Sequence, residues 1–210
     1  MTVKSVPRPR SLAGLENAER ACRRCPLYNS ATQVVPGQGY RSAKLMLLGE
    51  HPGKDEDLAG MPFVGPAGRV LDTALQAAGL ERDKIFVTNA VKHFKFAPRG
   101  KRRLHQRPNS DEIAACRVWN RIERDLVKLD LIVTLGATAL RSVMERATSI
   151  ASVGGKVVDL PDGGRYWRRY TRPIFCALAT RATGCMSRSF SFATCAARAM
   201  RSPSGTQSAF

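Results

Sequence analysis

The chain has 210 residues, 43% of them hydrophobic, enough for one good core and one domain. Its 34 Lys and Arg against 17 Asp and Glu give a formal net charge of +17, which calls for a polyanionic partner, nucleic acid or a membrane surface, and leaves the fold open. No apolar run approaches the ~18 residues of a membrane helix, and the prolines among Lys4, Arg8 and Arg10 are no signal peptide, so a cytoplasmic protein is expected, whose six cysteines suit metal binding better than disulfides.

In chain order, residues 1–14 read as a loose basic arm, and a short helix is expected over 15–24, running into Cys22-Arg23-Arg24-Cys25-Pro26-Leu27-Tyr28. The apolar run 44–48 ends at Gly49, as a buried strand feeding a loop would. Val70, Leu71, Ala74, Leu75 and Ala78 lie at helical spacing within 65–79, closed by Gly79. A second strand is expected over 84–91 and a basic loop over 95–109. Ser110-Asp111-Glu112 opens a helix through Ile113, Val118, Trp119, Ile122 and Leu126, capped by Ser110 or Asn109. A third strand over 129–135 and a helix over 136–146 follow. Residues 157–160 and 165–171 flank the Pro161-Asp162-Gly163-Gly164 turn as a hairpin, and 173–179 is expected to supply a fourth core strand. Strands alternating with helices predict an α/β sandwich around a mostly parallel sheet, with any ligand at the carboxyl ends of the strands. From residue 181 the periodicity fades into Ser, Arg, Ala, Thr and Cys, and residues 163–210 carry eight arginines and no acid. That is the composition of a disordered basic tail or of translation in a shifted reading frame.

Several short segments carry chemistry. Lys101-Arg102-Arg103-Leu104-His105 sets three cations beside a histidine, a polyanion-attracting run next to a nucleophile or proton carrier. Gly49-Glu50-His51-Pro52-Gly53 follows a strand and places a carboxylate at the sheet's edge, where it can orient water or stabilise a developing cation. Phe63, in a Pro/Gly-rich loop, can be a stacking platform for a base, and the Asn89 amide can both donate to and accept from a pyrimidine edge. Cys22, Cys25 and Cys116 offer three soft ligands for zinc or an iron–sulfur cluster, the fourth being His93 or one of Cys176, Cys185 and Cys195. Taken singly, these are a solvated face, a tight turn, a core plug, a turn cap and buried thiols. Their concurrence at the ends of neighbouring strands is what points to chemistry on DNA.

The ordered motifs CRRCPLY, LMLLGEHPGKDEDLAGMPFVGPAGRVLD, IFVTNAVKHFKF, GKRRLH, ACRVW and IVTLGATA resemble the uracil-DNA glycosylase superfamily in its iron–sulfur, family-4-like branch, over about residues 12–160. The GKRRLH insertion is similar to that of the UdgX subgroup, whose members become covalently fixed to the DNA they process. The resemblance implies a three-layer α/β/α sandwich around a mostly parallel four-stranded sheet over 15–180, with 181–210 as an atypical tail. It implies a monomeric DNA-repair enzyme that excises uracil from DNA, single-stranded by preference. By position, it implies Glu50 as the residue assisting glycosidic cleavage, and Gly49, His51, Phe63 and Asn89 as the uracil site. His105 is then the nucleophile on C1′, and Lys101, Arg102 and Arg103 are DNA contacts. Cys22, Cys25, His93 and Cys116 are the implied ligands of a [4Fe-4S] cluster.

The chain departs from this pattern in three places. His51 stands where the subgroup usually has Gln, and His93 where family-4 relatives have Cys. The superfamily's second motif, His-Pro-Ser/Ala followed by Leu-Leu-Arg, is absent, because no histidine follows His105. The missing motif gives weight to an iron–sulfur protein that binds single-stranded DNA without cleaving it; a turnover glycosylase of family-4 type is the other alternative, which His105 argues against.

Overall fold

In the computed structural model, which describes residues 8–144, 157–160 and 168–171 (backbone alone for 157–159 and 168–171), strands alternate with helices as expected. The helices are α1 (Leu12–Arg20), α2 (Lys54–Ala59), α3 (Pro66–Ala77), α4 (Ser110–Val127) and α5 (Ala137–Met144). The strands are β1 (Gln38–Gly39), β2 (Leu45–Gly49), β3 (Phe86–Asn89), β4 (Phe96–Arg99), β5 (Arg102–His105), β6 (Leu131–Thr134), β7 (Val157–Asp159) and β8 (Arg168–Thr171). The expected strand over 173–179, the tail 181–210 and Cys176, Cys185 and Cys195 lie outside the described residues.

The main sheet has the order β1-β3-β2-β6-β8-β7. Its four inner strands run parallel, and β1 and β7 add an antiparallel strand at each edge. The expected four-stranded parallel core is thus present within a six-stranded mixed sheet. The hairpin expected near residue 160 forms as β7–β8, and β8 itself takes the core position beside β6.

Side chains of a strand point alternately to its two faces, and that alternation builds three layers. Met46, Leu48, Phe86 and Ile132 pack on one face with Leu140, Val143 and Met144 of α5. Leu45, Leu47, Val87, Leu131 and Val133 pack on the other with Leu71, Ala74 and Leu75 of α3. Strands covered on both faces must be apolar throughout, which is why Leu-Met-Leu-Leu-Gly is buried at every position. A third, smaller core joins Leu15 of α1 and Leu27 to Ile113 and Trp119 of α4, with Cys22, Cys25 and Cys116 among its members.

Four local expectations change. Helix α1 starts at Leu12, inside the expected arm, because the Ser11 hydroxyl caps it by accepting from Gly14 N at 3.1 Å. Of the two expected caps of α4, Asn109 does the work: its side chain accepts from Glu112 N at 2.9 Å, and Glu112 accepts from Asn109 N at 2.7 Å. Helix α2 was not anticipated; its signal was the acidic first turn Asp55-Glu56-Asp57 after Gly53, which suits the positive end of the helix dipole. The expected basic loop over 95–109 is in large part the β4–β5 hairpin, with Arg99 paired to Arg102 across Gly100 and Lys101. Gly100 has φ +58° at the first turn position, a left-handed value that a type II′ turn requires there. Among the described residues no helix is long and apolar enough to cross a membrane.

Candidate active site

The parallel register places Gly49 opposite Asn89 at the carboxyl ends of β2 and β3. Ala90 N donates to Gly49 O (2.9 Å) and Val91 N to Glu50 O (3.0 Å), so the two chains leave the sheet side by side. A cleft of about 430 Å³ opens there, lined by His51, Pro52, Gly53, Phe63, Asn89 and His105 with residues of α2 and the start of α3. A Cβ on Gly49 would lie 2.3 Å from Asn89 Oδ1 and 2.7 Å from the tip of the Phe63 ring. Only glycine lets the amide and the ring meet over that backbone.

Phe63 has φ +58°, a left-handed conformation uncommon for a bulky residue and a marker of functional constraint. Two contacts hold its loop. Arg82 Nη2 donates to the carbonyls of Pro62 and Phe63, each at 3.3 Å, and the Glu56 carboxylate accepts from Gly53 N (2.9 Å) and Gly65 N (2.8 Å). Glu56 therefore ties the loop after β2 to the Phe63 loop. Sequence reasoning passed over it, although its place in the first turn of a helix after Gly53 was visible.

Glu50 follows β2 directly. Among the described residues its Oε1 is buried without a hydrogen-bond donor, and its ion-pair partner is Arg107, with Nε at 4.0 Å. Glu50 does not itself line the cleft, although the next residue, His51, does; a carboxylate so weakly neutralised is suited to stabilise positive charge on a ligand. His105, at the end of β5, is exposed and stacks on His51 with ring centroids 4.1 Å apart and planes 19° apart. His51 is 7% exposed; its Nδ1 lies 2.7 Å from Pro52 O and its Nε2 3.0 Å from Gln106 O. Burial first, then the His105 ring, push His51 down to about 4, against the pull of the two carbonyls.

The three cations of the hairpin separate. Lys101 and Arg102 are exposed at its tip, while Arg103 Nη1 donates to Asp57 Oδ2 (2.7 Å) and Thr32 Oγ1 (3.0 Å). Asp57 is fully buried.

Beneath Asn89 lies a buried polar network that no motif announced. The Asn89 carbonyl accepts from Asn120 Nδ2 (3.0 Å), which also donates to Glu123 Oε2 (3.1 Å). Glu123 Oε1 accepts from Lys92 Nζ (2.6 Å), Thr88 Oγ1 (2.9 Å) and Gly37 N (3.2 Å). Burial works against the Lys92 charge, but Glu123 and Glu19 outweigh it and raise its pKa. Burial raises Glu19 to about 8, opposed by Lys92 and reinforced by Glu123. Burial thus favours the protonated form of Glu19, and the Lys92 ammonium has Glu123 as its close partner at 2.6 Å. The only sequence signal was a lysine next to His93 with acids on two amphipathic helices.

Cys22, Cys25 and Cys116 are buried in one small core and feel one another electrostatically. Trp119 Nε1 donates to Cys22 Sγ (3.3 Å) and Lys92 N to Cys116 Sγ (3.4 Å), contacts suited to electron-rich sulfur. Burial pushes the Cys116 thiol up to about 12 and raises that of Cys25. His93, 5% exposed, has a buried Nδ1 with no hydrogen-bond partner, and burial followed by the Arg23 charge pushes it down to about 4. A neutral imidazole with an orphaned nitrogen and three thiols is a donor set that fits an iron–sulfur cluster. Among the described residues no three donors converge on a single ion. A cluster does not ask for that, since each ligand meets a different iron.

The family model for the Uracil DNA glycosylase superfamily matches residues 36–193. Among characterised relatives, a Type-4 uracil-DNA glycosylase of Sulfurisphaera tokodaii is 38% identical over 151 residues, 70% of this chain and 66% of the relative. That of Archaeoglobus fulgidus is 34% identical over 69% of this chain and 71% of its own length. That of Thermotoga maritima is 36% identical over 67% and 70%.

Proposed function

We propose that this chain, which belongs to the uracil DNA glycosylase superfamily, is a uracil-DNA glycosylase that excises uracil from single-stranded DNA and becomes bonded through His105 to the abasic sugar. It acts in DNA repair as a cytoplasmic monomer. The observation that carries the reading is the convergence of His105 with the Phe63–Asn89 pair on one cleft at the carboxyl ends of β2 and β3.

Phe63 stacks the flipped uracil and Asn89 pairs with its edge, over the backbone of Gly49. The bond between C1′ and uracil N1 breaks with its electron pair leaving on the base, which takes a proton from solvent. The sugar gains oxocarbenium character, and Glu50 stabilises that charge. The lone pair of the unprotonated His105 nitrogen then bonds to C1′, and the ring's N–H proton passes to solvent. The product is a neutral N-alkyl imidazole with no easy leaving route, so the reaction ends after one turnover. Lys101 and Arg102 contact flanking phosphates.

Cys22, Cys25, His93 and Cys116 would hold the [4Fe-4S] cluster expected of the family-4 branch. Bound there, it would staple the segment after α1 to α4, a structural contribution. The three cysteines sit in the small core, and neither they nor His93 are among the residues lining the cleft.

Denaturing gel electrophoresis after incubation with uracil-containing single-stranded DNA tests the reading. The expected result is a shifted band that survives SDS and heat and is lost in His105→Ala, which still releases uracil. Uracil release with no adduct would replace the covalent step with ordinary turnover. No uracil release would leave a DNA-binding protein.

A further inference from the structure

We infer that His51 is a positioning residue for His105, holding the nucleophile's ring and peptide in place, and that it does not read the uracil edge. The inference rests on the proposed role of His105.

Both nitrogens of the His51 ring face carbonyls of the protein, Pro52 O at 2.7 Å and Gln106 O at 3.0 Å. A neutral imidazole has one N–H, so only one of these carbonyls accepts from it, but a carbonyl stands before each nitrogen and neither edge is open to a base. The face of the ring is what His51 presents to the cleft, and His105 lies on it, 4.1 Å away and within 19° of parallel. Phe94, 1% exposed, lies beside both rings, its centroid 6.0 Å from that of His51 and 6.3 Å from that of His105. The three rings form a triangular cluster anchored in the core by Phe94, in which His51 and His105 are the closely stacked pair.

The same histidine also holds the backbone. Gln106 is the residue after His105; its N donates to Lys95 O at 3.0 Å and its carbonyl faces His51 Nε2. With the His51 proton on Nε2, Gln106 is therefore held from one side by the hairpin ladder and from the other by the loop after β2. Misplacement of a reacting group by about 1 Å can cost about a hundredfold in rate. A ring and a peptide fixed together are how an exposed side chain at the end of a two-stranded hairpin keeps its aim.

The test uses the full-length protein and a 5′-labelled single-stranded oligonucleotide with one uracil, with His51→Ala, His51→Gln and His51→Phe beside the wild type. Two products are counted: strands captured as SDS-resistant adduct, and free abasic strands cut by alkali. Loss of positioning lowers the captured fraction of processed strands in His51→Ala by about tenfold or more, beyond any fall in uracil release. His51→Phe keeps a ring face and retains more capture than His51→Ala. An unchanged captured fraction, or capture and release falling by the same factor, would overturn the inference in favour of a base contact or a general structural role.

A second measurement does not depend on capture. The chain has three histidines, so the His105 ring proton resonances can be assigned by substitution. Stacking on His51 shifts them, and in His51→Ala they move toward their values in an unstructured peptide, while in His51→Phe they stay displaced. Resonances indifferent to His51→Ala would overturn the inference outright. A wild type that forms no adduct would sink the proposed covalent chemistry, and the resonances would then decide the placement of His105 by themselves.

Discussion

The guanidinium of Arg103 donates to the Asp57 carboxylate at 2.7 Å, and Asp57 has no exposed surface. Thr32 N also donates to both Asp57 oxygens, at 2.9 and 3.2 Å, and the Arg103 guanidinium lies 5.1 Å over the Phe96 ring. Arg103 is thus a latch between the β4–β5 hairpin and α2. Of the three consecutive cations, the first two, Lys101 and Arg102, stay exposed.

Arg103→Ala is expected to lower stability by about 1–3 kcal/mol, because it leaves a buried carboxylate short of its cation while the arginine itself was partly screened by solvent. Lys101→Ala should leave stability within about 0.5 kcal/mol, as surface changes do. It should instead reduce the slope of log affinity against log salt for single-stranded DNA by roughly 0.7. Urea unfolding and a salt titration of DNA binding check the pair; a reversed pattern would mean that Arg103 is the phosphate contact.

Glu123→Gln should be among the most destabilising single changes in the chain. It deprives the buried Lys92 ammonium of its 2.6 Å partner, and breaking a buried pair costs about 3–5 kcal/mol. Thermal unfolding measures it. Asn120→Leu is the milder companion, removing the donor to the Asn89 carbonyl, and is expected to raise KM for uracil-containing DNA more than it lowers kcat.

Gly49→Ala forces a Cβ to within 2.3 Å of Asn89 Oδ1 and 2.7 Å of the Phe63 ring. One or both must retreat, and kcat/KM for uracil release should fall by roughly tenfold to a hundredfold, while far-ultraviolet circular dichroism stays that of the wild type. Full activity in Gly49→Ala would remove the amide and the ring from the base site.

The His51 ring carries a pH signature. Its folded value near 4 lies below the ordinary 6.5, so between those values the unfolded chain binds the extra proton. Its contribution to stability is complete above pH 6.5 and is lost as pH falls from 6.5 toward 4. The loss of Tm between pH 7 and pH 5 should be smaller in His51→Gln than in the wild type. Equal losses would mean that the ring is not held neutral. His93 shifts in the same direction and remains in both proteins as a common background.

The layered fold was legible because its signals are local. Leu45 to Leu48 are apolar without alternation, as a strand covered on both faces requires, and the 3.6-residue spacing of Leu71, Ala74 and Leu75 marked the face of α3 that covers them. The β4–β5 hairpin was less so. Its residues alternate weakly, neither strand is buried, and charge density argued for a loop, so Gly100 alone carried the turn. Helix α2 was short enough that its six residues gave no full apolar period.

The candidate site divides along the same line. Order and type of residue already singled out Glu50, Phe63, Asn89, His105 and the three cysteines, because glycine-bounded loops after apolar strands and a cation run beside a histidine are properties of neighbours along the chain. Tertiary structure alone decided that Arg103 faces inward to Asp57, that both His51 nitrogens face carbonyls, and that Lys92, Glu123 and Asn120 support Asn89 from below. Each of those depends on which buried group lies across a packed interface, and hydrogen-bonding partners tens of residues apart leave no periodic trace. Chain chemistry determined what this protein can do to a ligand. Burial and register determined which of its charged side chains are free to do it.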